Sequence, residues 1–164
     1  LAVTCEYLDQ GAVDPGLVER VITTNFLGPV NCLAALQSQL SAGNRVVLVS
    51  SMAHWLPFPR AEAYGASKAA LTWFANSLRL DWEPRGIAVT VVSPGFVDTP
   101  LTRKNDFSMP GQVSVEQAVN AIRRGLAKGH DRIAFPTGFC LLLRLLAGLP
   151  EGLQRRLLRR MVRP

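Results

Sequence analysis

Cysteine and histidine are scarce in this sequence, and their spacing fits neither a disulfide framework nor a metal site. The three cysteines, Cys5, Cys32 and Cys140, are far apart. That pattern favours a reducing compartment and three small buried apolar side chains rather than a nucleophile. The two histidines, His54 and His130, have no acidic or thiol cluster near them. We therefore predict no metal.

Long apolar runs are lacking as well. Residues 1–20 carry four acidic side chains and no apolar block, which does not fit a signal peptide. The most apolar part of the tail, around residues 138–149, is interrupted by Arg144 and is too short to span a bilayer. With 48% hydrophobic residues in a chain of 164, we expect a soluble, cytoplasmic protein with one core.

Net charge is unevenly distributed along the chain. Residues 1–120 hold eight Lys or Arg against ten Asp or Glu, a balance of −2, whereas residues 121–164 hold ten against two, a balance of +8. Residues 138–164 are predicted to form two short amphipathic helices separated at Pro150. They either pack on the body or on a neighbouring subunit, with solvated arginines, or make peripheral contact with an anionic membrane surface. No nucleic-acid binding is expected, because no basic patch occurs elsewhere and the tail lacks interleaved aromatics.

Apolar periodicity predicts that helices and strands alternate. The predicted helices cover 16–40, with a kink or break at Gly28-Pro29, 61–82 and 114–127, and the predicted buried strands cover 45–50, 86–95 and 132–136. This alternation implies right-handed parallel crossovers, and hence an α/β sheet with helices on both faces. Ligands of such sheets bind beyond the carboxyl ends of the strands.

Residues 50–71, SSMAHWLPFPRAEAYGASKAAL, place side chains that can take part in catalysis at that edge. Ser51 follows the first strand, and Tyr64 and Lys68 lie one turn apart on one face of the next helix. An ammonium at that distance lowers the pKa of the phenol, which can then exchange a proton with a carbonyl or an alcohol. A serine hydroxyl can hold the same oxygen. A Tyr–Lys spacing alone is weak evidence, since many helices carry a half-buried tyrosine beside a solvated lysine.

Other kinds of chemistry fit this segment less well. Neither serine lies in a GxSxG segment, and no histidine is placed to act as a base, so acyl transfer is disfavoured. Proton transfer coupled to hydride transfer is favoured, and hydride transfer needs a nicotinamide cofactor.

In sequence, this segment resembles the active-site segment of the short-chain dehydrogenases/reductases. That family has a serine thirteen residues before the tyrosine of a Y-x-[AS]-S-K pattern, which here is YGASK after Ser51. NFLG (25–28) resembles its N-x-x-G helix, VVLVSS its strand before the serine, and SPGFVDTP (93–100) its P-G-x-x-x-T segment. The resemblance implies a Rossmann-like doubly wound parallel sheet and an NAD(P)-dependent oxidoreductase that interconverts an alcohol and a ketone or aldehyde.

Carried over by position, the resemblance gives each matching residue a role. Asn25, Ser51, Tyr64 and Lys68 would form a catalytic tetrad in which Tyr64 is the acid and base and Ser51 polarises the carbonyl. Lys68 would lower the tyrosine pKa and bind the nicotinamide ribose, and Asn25 would anchor a water relay to it. The cofactor contacts would be Tyr64, Lys68, Pro94, Gly95, Val97 and Thr99. A homodimer or homotetramer through the two long helices is also implied.

One part of the family pattern is lacking. In the family, a T-G-x-x-x-G-x-G turn binds the pyrophosphate of the cofactor, and a further residue selects NAD or NADP. Neither feature occurs in the residues before Asn25. We expect residues 1–137 to be the catalytic half of the domain, followed by the basic tail. The first βαβαβ half, roughly 80–90 residues, then belongs to a longer protein. The alternative is a truncated, non-catalytic relative that acts as a binding or membrane-surface module through its tail.

Aromatic side chains flank the predicted crevice. Trp55 and Phe58 lie between Ser51 and Tyr64, and Phe96 and Phe107 lie on the loop 96–113, a candidate lid. They favour a hydrophobic alcohol or ketone, such as an acyl, terpenoid or steroid-like compound. The alternative is that these rings only pack the lid down.

Overall fold

A parallel sheet forms the centre of the protein. The computed structural model describes residues 13–104 and 108–159. Its strands β1 (Arg45–Val49), β2 (Ala88–Pro94) and β3 (Arg132–Phe135) pair in the order β1-β2-β3. Thr90 of β2 pairs with Val47, and Val92 pairs with Ile133. The central strand β2 is buried at all five inner positions, which explains its continuous apolar and β-branched run.

Helices cover both faces of the sheet, as predicted. They are α1 (Pro15–Ile22), α2 (Gly28–Leu36), α3 (Glu62–Trp82), α4 (Val115–Ala127), α5 (Thr137–Ala147) and α6 (Glu151–Leu158). On one face, Leu71 and Ala75 of α3 pack against Val89 and Val91. On the other face, α4 packs against β2 and β3. The layers form an incomplete Rossmann-like fold.

The predicted helix over 16–40 breaks where Pro29 requires it. Pro29 has no N–H to donate to the Asn25 carbonyl, and its ring crowds that carbonyl. Between α1 and α2 the chain therefore widens into a π-helical turn, Thr23–Leu27, in which the Gly28 N–H donates to the Thr23 carbonyl. The predicted end at residue 40 is wrong: α2 ends at Leu36, and a short 3₁₀ turn, Gln37–Gln39, follows.

The two predicted tail helices lie on either side of Pro150. Cys140 and Leu143 of α5 and Leu158 of α6 form a buried cluster with Met52 and Leu56, which follow β1. The side-chain amide of Gln154 donates to the carbonyls of Ala147 and Leu149, at 2.9 and 2.8 Å. The described part of the tail is therefore packed on the body.

The cysteines differ in environment. Cys140 is buried, and burial raises the pKa of its thiol, so it acts as an apolar core residue. Cys32 is exposed on α2, so the prediction that it is buried is wrong. Cys5 lies outside the described residues.

Candidate active site

Two strand ends and one helix frame the candidate site. β1 ends just before Ser50 and Ser51, and β2 ends at Pro94. Since the strands are parallel, both ends lie at the same sheet edge. Helix α3 connects them and carries Tyr64 and Lys68 in its first two turns. The topology brings Ser51, Pro94, Tyr64 and Lys68 to one edge of the sheet.

Ser51 begins a tight turn beside α3. Its backbone is extended, and its hydroxyl accepts a hydrogen bond from the Ala53 N–H at 3.1 Å, capping a 3₁₀ turn, Met52–His54. A Cβ atom on Gly65 would lie 3.3 Å from the Ala53 carbonyl oxygen. The absence of a side chain at Gly65 thus lets the Ser51 turn approach α3 one residue after Tyr64.

Ser50 points into the interior instead. It is buried, and its hydroxyl donates to the Lys68 carbonyl at 3.0 Å and lies 2.7 Å from the Thr72 hydroxyl oxygen. Its N–H donates to the Val92 carbonyl at 2.7 Å. These bonds hold the end of β1 to α3, which supports the interpretation of Ser50 as a strand-end residue rather than a reactive one.

Lys68 is a buried cation under the site. Its side chain is only 2% exposed, and Nζ donates to the Val49 carbonyl at 3.2 Å. The same Nζ lies 5.7 Å from the centroid of the Tyr64 ring. Tyr64 itself is partly buried. The ammonium is therefore fixed between the end of β1 and the tyrosine.

Asn25 reaches the site from the π-helical turn. It is 1% exposed, and its Nδ2 donates to the Ser67 hydroxyl at 3.1 Å; that hydroxyl donates to the Tyr64 carbonyl at 2.7 Å. Ser67 thus joins Asn25 to the turn of α3 that carries Tyr64 and Lys68. Ser67 was not among the predicted site residues, although it is the serine of YGASK.

A threonine network shapes the loop after β2. The Thr102 hydroxyl donates to the Val97 carbonyl at 2.6 Å and accepts from the Thr99 N–H at 2.9 Å. Val97 also pairs with Val113 in an isolated parallel bridge. The Gly95 N–H donates to the Phe135 carbonyl at 2.8 Å. The two ends of the candidate lid are therefore joined, and Thr102 is a second residue of this region that the sequence pattern does not predict.

The aromatic residues predicted for the pocket lie in different surroundings. Trp55 and Phe58 are partly buried against the cluster that holds α5 and α6, and the Arg144 guanidinium lies 5.0 Å from the Trp55 ring centroid. Phe96 lies 6.0 Å from Phe139, centroid to centroid. Phe107 is outside the described residues. The role of these rings in substrate binding stays a prediction.

Comparison with sequence models of protein families shows to which family the chain belongs. The sequence model of the short chain dehydrogenase family matches residues 9–109, more than half of the chain. The chain belongs to the short-chain dehydrogenase family.

Individual proteins similar to this chain support its membership of the family, and each is similar over a different length. An uncharacterized oxidoreductase from Myxococcus xanthus is 36% identical over 138 residues, which cover 83% of this chain and 54% of the relative. An uncharacterized oxidoreductase from Streptomyces coelicolor is 38% identical over 146 residues, covering 84% and 55%. The 11-beta-hydroxysteroid dehydrogenase 1A of Arabidopsis thaliana is 36% identical over 108 residues, covering 65% and 31%. The chain spans about half the length, or less, of these relatives.

Solved structures show the same fold. A short-chain dehydrogenase from Burkholderia cenocepacia, solved with NADP, superposes with a TM-score of 0.81 at 24% identity, over 96% of this chain and 65% of that one. The three strands and their helices thus correspond to part of the fold of a short-chain dehydrogenase.

His54 lies just behind the serine pair and is the titratable group with a shifted pKa in this turn. Its Nδ1 contacts the Ser51 carbonyl and lies 3.4 Å from the Ser50 hydroxyl. Burial lowers the pKa of His54, and Arg132 and Arg144 lower it further, while the contact with the Ser51 carbonyl opposes the shift. The neutral imidazole is therefore favoured in the folded state.

We predict that His54 makes the protein less stable as the pH falls. Because its folded pKa lies below the unfolded value of 6.5, the unfolded state binds this proton first, and stability is lost as the pH falls below about 6.5. In urea unfolding between about pH 7.5 and pH 5, His54→Asn should lose less free energy of unfolding than the wild type. An amide at position 54 retains a donor for the Ser51 carbonyl. If the free energy of unfolding fell equally with pH in the two proteins, the prediction would be contradicted.

Proposed function

We propose that the protein containing this chain is an NAD- or NADP-dependent oxidoreductase that interconverts an alcohol and a ketone or aldehyde. The observation that carries the proposal is the buried Lys68 ammonium, held by the Val49 carbonyl at 3.2 Å and lying 5.7 Å from the Tyr64 ring centroid. A cation in that place favours the phenolate form of the tyrosine. Ser51 at the same sheet edge supplies a hydroxyl for the reacting oxygen.

The donor set fits one half of a nicotinamide cofactor. Lys68 and Tyr64 offer an ammonium and a hydroxyl for the ribose, and the strand-end loop from Pro94 to Thr99 offers backbone groups for the carboxamide. The contacts of the pyrophosphate and adenosine are assigned to no residue of this chain. In support, the Burkholderia cenocepacia enzyme was solved with NADP and a dehydrogenase from Sphingobium yanoikuyae with NADPH.

The chain's own residues would handle the proton. When bound, the nicotinamide supplies or accepts the hydride. In the reductive direction, the Tyr64 hydroxyl donates its proton to the carbonyl oxygen as that oxygen gains charge. Ser51 donates a hydrogen bond to the same oxygen and fixes its position. Lys68 stabilises the resulting phenolate, while Asn25 and Ser67 fix the backbone of the turn that holds both groups.

For the substrate we propose a hydrophobic alcohol or ketone, such as an acyl, terpenoid or steroid-like compound. Trp55 and Phe58 follow Ser51 closely, and Phe96 begins the loop over the strand ends. Among the relatives are 11-beta-hydroxysteroid dehydrogenases of Arachis hypogaea and Arabidopsis thaliana, at 33% and 36% identity. Apolar rings beside one polar cluster are typical of pockets for such ligands.

The adjacent serines give the proposal a matched test. In the full-length protein, with NADH and NADPH and a panel of hydrophobic ketones, Ser51→Ala should lower kcat about a hundredfold, because it removes a donor to the reacting oxygen. Ser50→Ala should lower kcat less than tenfold but lower the free energy of unfolding by about 1–2 kcal/mol, because its buried hydrogen bonds to α3 are lost. Urea unfolding of both variants provides the stability values.

Two results would count against the proposal. One is absence of turnover and of cofactor binding in the authenticated full-length protein. The other is an equal effect of the two serine substitutions on kcat, since Ser51 would then act no differently from Ser50, whose hydroxyl is buried in hydrogen bonds to α3.

A further inference from the structure

The outer face of α5 is apolar. Leu141, Leu142 and Leu145 are 60%, 51% and 63% exposed, and their spacing of three and four places them side by side on one face of the helix. The opposite face, with Cys140 and Leu143, lies in the buried cluster with Met52. Helix α5 is thus already packed on the body through one apolar face, and the three exposed leucines form a second apolar face.

The outer face of α6 is cationic. Arg155, Arg156 and Arg159 are exposed, whereas Leu158 is buried against the body. The sequence adds Arg160 and Arg163 just after them. Residues 138–164 hold six Arg against one Glu, a balance of +5, whereas residues 1–120 carry a balance of −2, so the tail is a locally basic part of the chain.

The two faces are held next to each other. Only residues 148–150 separate α5 from α6, and Gln154 bonds to the carbonyls of Ala147 and Leu149 across that connection. Leu158 joins Cys140 and Leu143 in one cluster. We call Leu141, Leu142, Leu145, Arg155, Arg156 and Arg159 the tail surface.

We propose that the tail surface binds the surface of an anionic lipid bilayer. Leucines on one helix match the boundary of the acyl chains, and arginines on the adjoining helix match lipid phosphates, which the guanidinium group binds well. The contact is peripheral, since within residues 13–104 and 108–159 no helix is long and apolar enough to cross a membrane.

A second copy of the chain fits the tail surface less well. In a two-fold contact the same patch meets itself. A contact that covers the whole patch would then bring Arg155, Arg156 and Arg159 close to those of the other copy, and like charges facing each other at an interface are unfavourable. A phosphate-rich surface instead neutralises these arginines while the leucines leave water, so charge complementarity favours the bilayer.

The test is the partition of the full-length protein onto vesicles, measured by co-sedimentation. On phosphatidylcholine vesicles with about one-third phosphatidylglycerol, we expect at least tenfold stronger binding than on phosphatidylcholine alone. The triple variant Arg155→Glu, Arg156→Glu, Arg159→Glu should weaken binding about a hundredfold, since each arginine near the surface contributes roughly fivefold. Leu141→Gln, Leu142→Gln, Leu145→Gln should weaken it at least tenfold.

A matched control distinguishes the effect of the tail surface on binding from the effect of the protein's net charge. Arg123→Glu, Arg124→Glu, Lys128→Glu, on α4 and at its C-terminal cap, makes the same change in charge at exposed positions away from the tail, and binding should change less than threefold. Thermal unfolding checks that every variant is folded. The proposal is overturned if the α4 variant loses as much binding as the α6 variant, or if the wild type does not bind anionic vesicles. It is also overturned if the leucine variant changes oligomeric size while vesicle binding persists.

Discussion

Replacing Tyr64 by Phe is expected to lower kcat about a thousandfold, the loss typical of removing a general acid and base. The substitution deletes one hydroxyl and keeps the ring. The packing of the partly buried side chain and the position of the Lys68 ammonium, 5.7 Å from the ring centroid, should therefore be preserved. What disappears is the group that, in the proposed function, gives a proton to the carbonyl oxygen or takes it from the alcohol.

Separate measurements of binding and chemistry make this prediction specific. The dissociation constant of NADPH or NADH, from fluorescence titration, should rise no more than about tenfold, the loss expected from one hydrogen bond to the ribose, while the single-turnover rate falls with kcat. The residual activity of Tyr64→Phe should also lose the pH dependence that the wild type shows for its essential acid and base. A variant that retained a tenth of the wild-type kcat would exclude Tyr64 as the proton donor.

The parts of the site that the sequence predicts are those fixed by local geometry. Tyr64 and Lys68 share a face because the helical period places residues four apart on one side, and Ser51 lies at the sheet edge from which α3 follows, because the parallel strands β1 and β2 end there together. Helix and strand periods differ, so the order of elements could be read from the spacing of apolar residues. Pro29 predicts a break in its helix because it cannot donate the backbone hydrogen bond.

Other features depend on contacts between distant segments. The bond from Asn25 to Ser67 joins residues 42 positions apart in the chain and forms only where the π-helical turn Thr23–Leu27 lies against α3. Cys32 is exposed because α2 turns its outer side away from the sheet, and a cysteine carries no sequence signal for that. Thr102 acts through the carbonyl of Val97, five residues away, in a loop with no periodic pattern.

The positions of the aromatic side chains also depend on contacts between distant segments. The sequence predicts apolar rings beside the crevice, but the direction of each ring depends on which helix covers it. Trp55 and Phe58 lie against the cluster formed with α5 and α6. Amphipathic patterning predicts that those helices bury one face, yet it does not specify which part of the body they cover.

Gly125→Leu is expected to have the largest effect on stability, lowering the free energy of unfolding by about 3 kcal/mol. A Cβ atom at Gly125 would lie 2.6 Å from both Cδ1 and Cγ1 of Ile133, closer than carbon atoms can pack. Ile133 belongs to β3 and is only 6% exposed, in the core under α4, so it has little room to move. Leucine is a better helix former than glycine by close to 1 kcal/mol, which makes a loss of stability the opposite of what propensity alone predicts.

Two further variants connect this loss to the contact between α4 and β3. Gly152→Leu places the same side chain at an exposed position of α6, where a Cβ atom would have nothing within 4 Å, and it should leave stability unchanged or raise it. The double variant Gly125→Leu, Ile133→Ala should lose less stability than the sum of the two single losses, of which that of Ile133→Ala is about 2–5 kcal/mol. A double-mutant cycle from urea unfolding measures the difference between the sum and the double variant as a coupling of at least about 1 kcal/mol. If the two substitutions were additive, the side chain at position 125 would not meet Ile133, and the close approach of α4 to β3 would have to be rejected.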